Sequence, residues 1–373
     1  MRQAIALARR AYGFTSPNPL VGALVVKGGR VLGTGWHRRA GEPHAEIEAL
    51  NAAVVSGFDP RGSTLYVTLE PCSTHGRTPP CTRAIVDAGI RRVVAGATDP
   101  NPRHAGRGFD VLRNAGVEVV EGVLAGDCAA INEAFNHWIV HRTPFVTVKA
   151  AMTLDGKIAT ERGESKWITG PPARAVGMDL RQGADAILVG VNTLLLDDPQ
   201  LVVRGPDGTV NPGGKKLRRL VLDSRARTPL RARVLTDEHR SLTTIVVGEN
   251  APAKRVRALS RRANVLMAPV RLGKARQAEG IDLEWLLQRL GAEGVTGLLV
   301  EGGGEVNASF LLGGLAHKIA FFYAPSILGG RKARRAVAGE GARSLAEILK
   351  VEHVRWRRLG DDWHLTGYPV RRA

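Results

Sequence analysis

Four residues in the first hundred could together form a metal-dependent active site. His44 and Glu46 occur in the segment Gly-Glu-Pro-His-Ala-Glu, and Cys72 and Cys81 follow farther along, each directly after a proline. One histidine and two cysteines are ligands that catalytic Zn²⁺ takes, with a fourth position left for water. Glu46 is close enough to the metal to move protons without binding it. This pattern is typical of a zinc-dependent deaminase, which replaces an amino group on a ring carbon by oxygen from water.

The spacing of the two cysteines narrows the class of deaminase. Eight residues separate Cys72 from Cys81, whereas base and nucleoside deaminases usually carry only two. The insert contains Arg77, which favours a phosphorylated substrate over plain cytidine, and His75, which we interpret as a substrate-contact or loop residue.

The prolines before Cys72 and Cys81 predict that a helix begins at each cysteine, where thiolates are stabilised. Cys128 has no comparable neighbours and is predicted to be a core residue.

Short helices and strands alternate through the region that must position these residues, which predicts an α/β domain. Helices are expected at 2–12, 44–55, 81–87, 107–115 and 126–140, and strands at 21–26, 31–35, 64–69, 93–95 and 117–120. Pro144 cannot continue a helix and marks a boundary, so the predicted domains are 1–143 and 144–373. In the second domain, apolar runs such as 186–189 and 298–300 predict strands buried on both faces.

Gly302, Gly303 and Gly304 follow one of these predicted strands and precede a predicted helix that begins near Glu305. Glycines let the backbone approach a phosphate closely, and a helix N-terminus favours its charge. The segment therefore suggests a phosphate-binding turn of a dinucleotide site. An ordinary tight turn explains the same residues equally well.

Long segments of the chain resemble one known family. They are Pro-Asn-Pro-Leu-Val-Gly at 17–22, Thr-Leu-Glu-Pro-Cys-Ser-Thr-His-Gly-Arg-Thr-Pro-Pro-Cys at 68–81, Gly-Glu-Ser-Lys-Trp-Ile-Thr-Gly at 163–170 and Leu-Leu-Leu-Asp-Asp-Pro-Gln-Leu-Val-Val-Arg at 194–204. The chain resembles the bifunctional riboflavin-biosynthesis deaminase/reductase of bacteria. This resemblance implies a cytidine-deaminase-like domain followed by a dihydrofolate-reductase-like domain. The first would deaminate 2,5-diamino-6-(5-phosphoribosylamino)pyrimidin-4(3H)-one, and the second would reduce the ribosyl group of the product to ribityl with NADPH.

The resemblance also implies residue roles and a homo-oligomer. Zinc would be held by His44, Cys72 and Cys81, with Glu46 as the proton donor. The NADPH site would comprise Ala151, Trp167, Thr193, Asp197, Ser224, Gly302, Gly303 and Gly304. The substrate site would comprise Ser165, Arg181, Leu201, Arg204 and Glu301. The two arginines suit the 5-phosphate, since guanidinium offers paired donors to phosphate oxygens. Lys149 is a hypothesised proton donor, and Asp155 is hypothesised to orient it.

The charge of +18 over 373 residues indicates an anionic partner, which could be nucleic acid, a membrane surface or a phosphorylated small molecule. No stretch approaches the ~18 apolar residues of a membrane span. Three cysteines are too few for a disulfide framework, which favours a cytoplasmic protein.

Much of the basic excess lies in residues 215–276, which hold 17 basic and 4 acidic residues and follow the motif-rich 144–214. We expect a solvated surface there and no nucleic-acid site.

Two competing interpretations stay open at this point. A base deaminase with a degenerate second domain is disfavoured because Lys149, Asp155 and Arg181 are retained. An RNA-binding module that uses a deaminase-like fold is disfavoured by the intact set of zinc-site residues. The 5% aromatic content also leaves few side chains on which bases could stack. The sequence therefore favours an enzyme whose partner is a phosphorylated pyrimidine.

Overall fold

The computed structural model describes residues 1–75, 79–272 and 278–370. The chain divides into two compact units, Met1–Arg142 and Thr143–Ala373, one residue before the expected boundary. Among the described residues, no helix is long and apolar enough to cross a membrane.

The first unit is built on a five-stranded sheet in the order β2-β1-β3-β4-β5. Its strands are β1 (Gly22–Lys27), β2 (Arg30–Trp36), β3 (Thr64–Leu69), β4 (Arg92–Ala97) and β5 (Glu118–Val120). Its helices are α1 (Arg2–Ala8), α2 (Ala45–Val55), α3 (Cys81–Asp87), α4 (Arg107–Asn114), α5 (Ala125–Ala130) and α6 (Glu133–His141). Strands β3, β4 and β5 are parallel, and β1 is antiparallel to β2 and β3.

The last helix predicted for this unit is two helices, α5 and α6. The break falls at Asn132, whose buried side chain accepts a hydrogen bond from the backbone N–H of Leu20 (2.8 Å) and donates one to its carbonyl (2.9 Å). The helical periodicity of 126–140 was correct as a pattern. A side chain that binds a distant backbone segment interrupts the helix.

Helix α2, which begins beside the predicted metal ligands, lies directly on strand β2. A Cβ atom at Gly33 would overlap the carbonyl oxygen of Ala49, and one at Gly35 would overlap that of Ala45. Both alanines are completely buried. Because β2 has glycines and α2 has alanines where they meet, the helix packs directly against the strand. This contact fixes the start of α2.

The second unit is built on a nine-stranded sheet in the order β11-β10-β9-β8-β14-β6-β15-β18-β17. The strands of the unit are β6 (Phe145–Thr153), β7 (Lys157–Ala159), β8 (Ala186–Gly190), β9 (Arg218–Leu222), β10 (Thr243–Gly248), β11 (Asn264–Ala268), β12 (Val270–Leu272), β13 (Ala278–Ile281), β14 (Gly297–Val300), β15 (Lys318–Ala324), β16 (Arg334–Arg335), β17 (Lys350–Leu359) and β18 (Asp362–Val370). The helices are α7 (Pro171–Gly183), α8 (Val191–Asp197), α9 (Arg233–Thr236), α10 (Ala253–Ser260), α11 (Leu283–Ala292) and α12 (Gly304–Leu312).

The middle of this sheet is parallel and buried on both faces. Alternate residues of one strand join different hydrophobic clusters, as Leu188 and Ile187 of β8 do. Strands β9, β8, β14 and β6 run in the same direction. Their carboxyl ends therefore meet at one edge of the sheet, where open α/β sheets bind ligands. Strand β6 continues to Thr153, so Lys149 and Ala151 both lie within it.

The basic segment 215–276 is only partly a solvated surface. Arg219 is 1% exposed, and its guanidinium forms two hydrogen bonds with the carboxylate of Asp237 (2.6 and 2.8 Å). Lys215 is also buried, at 5% exposure. The expectation of a purely solvated surface was therefore wrong for these residues, because the fold buries them and gives Arg219 a carboxylate partner.

Candidate active sites

The three predicted metal ligands come together in the first unit. His44 directly precedes α2, Cys81 is the first residue of α3, and Cys72 lies in the loop after β3. Nδ1 of His44 lies 3.6 Å from Sγ of Cys72 and 3.3 Å from Sγ of Cys81. The three ligand atoms all lie within 4.8 Å of one another. One small cation could contact all three atoms.

The helix predicted to begin at Cys72 is absent, because residues 72–75 form a loop. The loop instead accepts hydrogen bonds from the first two residues of α3. The Cys72 sulfur accepts a hydrogen bond from the backbone N–H of Cys81 (3.3 Å), and the Cys72 carbonyl accepts one from Thr82 (3.2 Å). His75 is exposed in the same loop, and Arg77 lies outside the described residues. Cys128 is 1% exposed, as expected for a core residue.

The two sulfurs have the chemistry that a zinc ion requires. A hydrogen bond between the two thiol groups lowers the pKa of Cys72 to about 4 and raises that of Cys81. A divalent cation at this position would bind both sulfurs as thiolates. With one imidazole nitrogen added, the donor set fits a catalytic zinc site with a fourth position available.

Glu46 lies beside the metal ligands, on the first turn of α2. Its side chain is 3% exposed, and burial, followed by the negative charge of Cys72, raises the pKa of Glu46 to about 7. A carboxyl group with such a pKa can take up and release a proton near neutral pH. The cavity that it faces is lined by Asn18, Pro19, Val21, His37, His44, Glu46, Leu69, Glu70, Pro71, Cys72, Ser73, Thr74, Asp99, Asn101, His104, Phe135 and Ile139.

Several residues that shape this cavity were missed by the sequence reasoning. The buried carboxylate of Glu70 accepts hydrogen bonds from the backbone N–H groups of Asp99 (3.0 Å), Gly106 (3.0 Å) and Gly108 (2.8 Å). It thereby fixes the loop that forms one wall. His37, which is 2% exposed, lies 3.0 Å from the side-chain nitrogen of Asn18. The only signal for Glu70 was its place in the Glu-Pro-Cys segment.

In the second unit, a buried ion cluster joins three of the predicted residues. The carboxylate of Glu301 accepts two hydrogen bonds from the Arg181 guanidinium, both 2.9 Å long, and lies 3.8 Å from Nζ of Lys149. Burial raises the pKa of Glu301, but the charges of Arg181 and Lys149 outweigh it and lower that pKa to about 2. Arg181 also donates to the carbonyl of Val202 (2.8 Å). Its guanidinium is therefore largely occupied by protein partners.

Asp155 has partners other than the lysine that we expected it to orient. Its carboxylate accepts hydrogen bonds from the hydroxyl of Thr153 (2.6 Å) and the backbone N–H groups of Leu328 (3.0 Å) and Gly329 (2.8 Å). These bonds, that of Thr153 first, lower the pKa of Asp155 to about 2. The contacts assign Asp155 to holding a loop after β15, because the carboxylate partner of Lys149 is Glu301.

The remaining predicted residues are distributed along the carboxyl edge of the sheet. Ser165 donates to Asp197 (3.1 Å), and the Arg174 guanidinium stacks over the exposed ring of Trp167 (4.6 Å). Arg204 is exposed and hydrogen-bonds to Gln200. The side chain of Leu201 is only 3% exposed and packs in the hydrophobic core, so it does not face an open site.

The glycine turn after β14 combines a close contact to the following helix with open space beside Gly303. A Cβ atom at Gly302 would lie 2.5 Å from Cβ of Val306, whereas one at Gly303 would meet nothing within 4 Å. Helix α12 begins at Gly304 without a side-chain cap. Thr193 on α8 and Ser224 after β9 occupy the neighbouring strand ends. Open backbone at a helix N-terminus fits the pyrophosphate of a dinucleotide.

Two family models match the chain, one for each unit. Residues 1–97 match the cytidine and deoxycytidylate deaminase zinc-binding region, and residues 144–365 match the RibD C-terminal domain. The riboflavin biosynthesis protein RibD of Actinobacillus pleuropneumoniae is 42% identical over 97% of this chain and 92% of its own length. That of Escherichia coli K12 is 36% identical over 98% of both chains.

Solved structures agree over the whole length. Acinetobacter baumannii RibD superposes with a TM-score of 0.85 at 34% identity, covering 99% of this chain and 98% of its own. A Thermotoga maritima protein described as a diaminohydroxyphosphoribosylaminopyrimidine deaminase/5-amino-6-(5-phosphoribosylamino)uracil reductase gives 0.82 at 35% identity, covering 99% and 97%. The fold and the two sites thus define a zinc-dependent deaminase joined to a reductase.

The chain belongs to the RibD family of riboflavin biosynthesis proteins. The expected fold class is confirmed, with a deaminase domain followed by a dihydrofolate-reductase-like domain. The expected enzymatic activities, hydrolytic deamination and reduction, are confirmed together with the cofactors Zn²⁺ and NADPH.

Proposed function

We propose that this chain removes the 2-amino group from 2,5-diamino-6-(5-phosphoribosylamino)pyrimidin-4(3H)-one and then reduces the ribosyl group of the product to ribityl. The observation that carries the first half is the convergence of His44, Cys72, Cys81 and Glu46 in one cavity. The second half is supported by the Lys149–Glu301–Arg181 cluster and the glycine turn at one edge of the second sheet.

In the deaminase site, the chain's own residues bind the metal and move the proton. Zinc held by His44 and the two cysteines would supply Lewis-acid activation of water. Glu46 would take a proton from the attacking water and deliver it to the amino group, which leaves as ammonia. Glu70 would keep one wall of the cavity in place through its three backbone contacts.

In the reductase site, Lys149 would donate a proton as the sugar ring opens, while hydride from NADPH reduces the sugar carbon. Glu301 would hold the lysine through its charge. Arg204 is the better placed of the two predicted phosphate ligands, because Arg181 is engaged with Glu301 and Val202. If Lys149→Met left the single-turnover rate of hydride transfer unchanged, the proposed role of Lys149 would be wrong.

A coupled assay tests the whole proposal. The purified chain is given the diaminopyrimidine substrate and NADPH, and ammonia release and NADPH oxidation are followed together. Ammonia without NADPH oxidation would contradict the reductase half, and neither product would contradict both halves. Glu46→Ala should abolish ammonia release while zinc stays bound. Glu48→Ala, on the same turn of α2 but paired with Arg38 at the surface, is the matched control and should retain activity.

We further propose that the chain works as a homo-oligomer in the cytoplasm. The outermost strand, β17, is exposed along most of its length, and Trp356 on β17 and Trp363 on the adjacent β18 are 55% and 42% exposed. A long exposed edge with large apolar side chains favours pairing with another chain. Light scattering of the wild type against Trp356→Glu would test this, and a monomeric wild type would contradict it.

A further inference from the structure

Hydrogen bonds with side chains outside it fix the backbone of a short loop at the carboxyl edge of the nine-stranded sheet. The loop, 224–228, follows β9. Oδ2 of Asp223, a residue only 1% exposed, accepts hydrogen bonds from the N–H and the hydroxyl of Thr228, both 2.6 Å long. Arg255 of α10 donates to the carbonyls of Ala226 (2.9 Å) and Thr228 (2.6 Å). A buried carboxylate and a guanidinium thus fix the backbone of this loop.

The fixed loop presents two arginines to solvent. Arg225 and Arg227 are exposed, and within the described residues neither has a carboxylate partner. Arg219, in the same basic segment, is by contrast paired with Asp237. The loop therefore carries positive charge that the protein itself does not neutralise.

Arg227 is oriented toward the neighbouring strand end. Its guanidinium donates a 3.0 Å hydrogen bond to Oδ1 of Asn192, which directly precedes Thr193 on α8. Strands β8 and β9 are adjacent and parallel, with Gly190 opposite Leu222. The arginine therefore spans the gap between the segments that carry Thr193 and Ser224, both of which are proposed to line the NADPH site.

We propose that Arg227, positioned by Asn192, binds the 2′-phosphate of NADPH and so makes this chain select NADPH over NADH. The two dinucleotides differ only in that phosphate, and a guanidinium offers paired donors to its oxygens. Arg225 adds a second positive charge on the same loop. This inference rests on the proposed function for the placement of the dinucleotide at this edge.

The test compares binding and not turnover. NADPH and NADH are titrated separately into the full-length chain, and the dissociation constants are read from the fluorescence of the bound dihydronicotinamide. Arg227→Gln should weaken NADPH binding roughly 10- to 100-fold, as expected for hydrogen bonds between charged groups, and leave NADH binding within about twofold. Arg227→Lys, which keeps the charge but loses the paired donors, should fall between. Arg257→Gln makes the same charge change on exposed α10 and should alter neither constant.

The outcomes separate this inference from the proposed function. If the wild type prefers NADPH and Arg227→Gln weakens both dinucleotides equally, or neither, the assignment of Arg227 is wrong and the reductase proposal stands. If the wild type binds neither dinucleotide, both are wrong. Ammonia release by the first unit and the circular dichroism spectrum show that each variant is folded. If Arg227→Gln does not fold, Arg227→Lys decides by the same comparison of the two dissociation constants.

Discussion

Replacing Glu301 by glutamine should destabilise the second unit substantially. The side chains of Glu301 and Arg181 are only 11% and 16% exposed, so the charges are poorly solvated. The glutamine keeps the shape but leaves Arg181 and Lys149 without a counter-charge. Removing one partner of a buried ion pair costs about 3–5 kcal/mol. The pKa of Glu301 leads to a similar value, since its fall from 4.5 to about 2 corresponds to about 3 kcal/mol.

Hydrogen exchange measures this loss in the unit where it occurs, because a chain of two units has no single free energy of unfolding. Protection of the β14 amides at neutral pH should fall roughly 100-fold in Glu301→Gln. The carboxylate has a lowered pKa in the folded chain, so its contribution is complete above about pH 4.5 and is lost as the pH falls toward 2. The difference between wild type and variant should shrink over the same range.

Glu293→Gln is the matched control, since Glu293 is also paired with two arginines but is 33% exposed. Surface pairs contribute about 0–1 kcal/mol, so protection should change less than about fivefold. If protection of the β14 amides changed as little in Glu301→Gln as in this control, the reasoning would be refuted. The attraction of Glu301 to Arg181 and Lys149 would then only balance the cost of burying the three charges.

Two further predictions concern the proposed ligand sites. A Cβ atom at Gly304 would overlap the carbonyl oxygen of Arg335, so Gly304→Ala should destabilise the second unit by about 2 kcal/mol, measured by hydrogen exchange of the α12 amides. Gly303→Ala faces open space and should fold normally, but it should weaken NADPH binding in the fluorescence titration. Cys81→Ser should lose bound zinc by metal analysis, whereas Cys128→Ser should keep about one zinc per chain; equal zinc contents would contradict the assigned ligands.

The deaminase site could be predicted from the sequence because residue type and local order determine metal chemistry. His44, Cys72 and Cys81 are rare residues with few alternative uses, and the fold brings their ligand atoms together. Glu70 carried no such signal. Its role depends on backbone N–H groups up to 38 residues away, and only the folded chain places those groups around its carboxylate.

In the second unit, residue type alone does not show which side chains are available to a ligand. Arg181 and Arg204 both suit a phosphate by type, but only the structure reveals that Glu301 and Val202 occupy the first. Strands β8 and β14 were predicted to within a residue or two from their buried apolar runs, whereas the largely buried strand β15 was missed. The strand β17 was not predicted, because most of its residues are exposed and its alternation of apolar and polar residues shifts at the irregularity between Glu352 and Arg355.

The charge of +18 can now be interpreted through the partners of individual arginines. Arg181 and Arg219 are buried against carboxylates, so they support the fold and are not available to an external anion. Arg204, Arg225 and Arg227 are exposed and, within the described residues, lack carboxylate partners. The proposed ligands bring a substrate 5-phosphate and a cofactor 2′-phosphate to this part of the second unit. The positive charge of these three arginines therefore fits two small phosphorylated ligands, and no continuous polyanion is needed to explain their exposure.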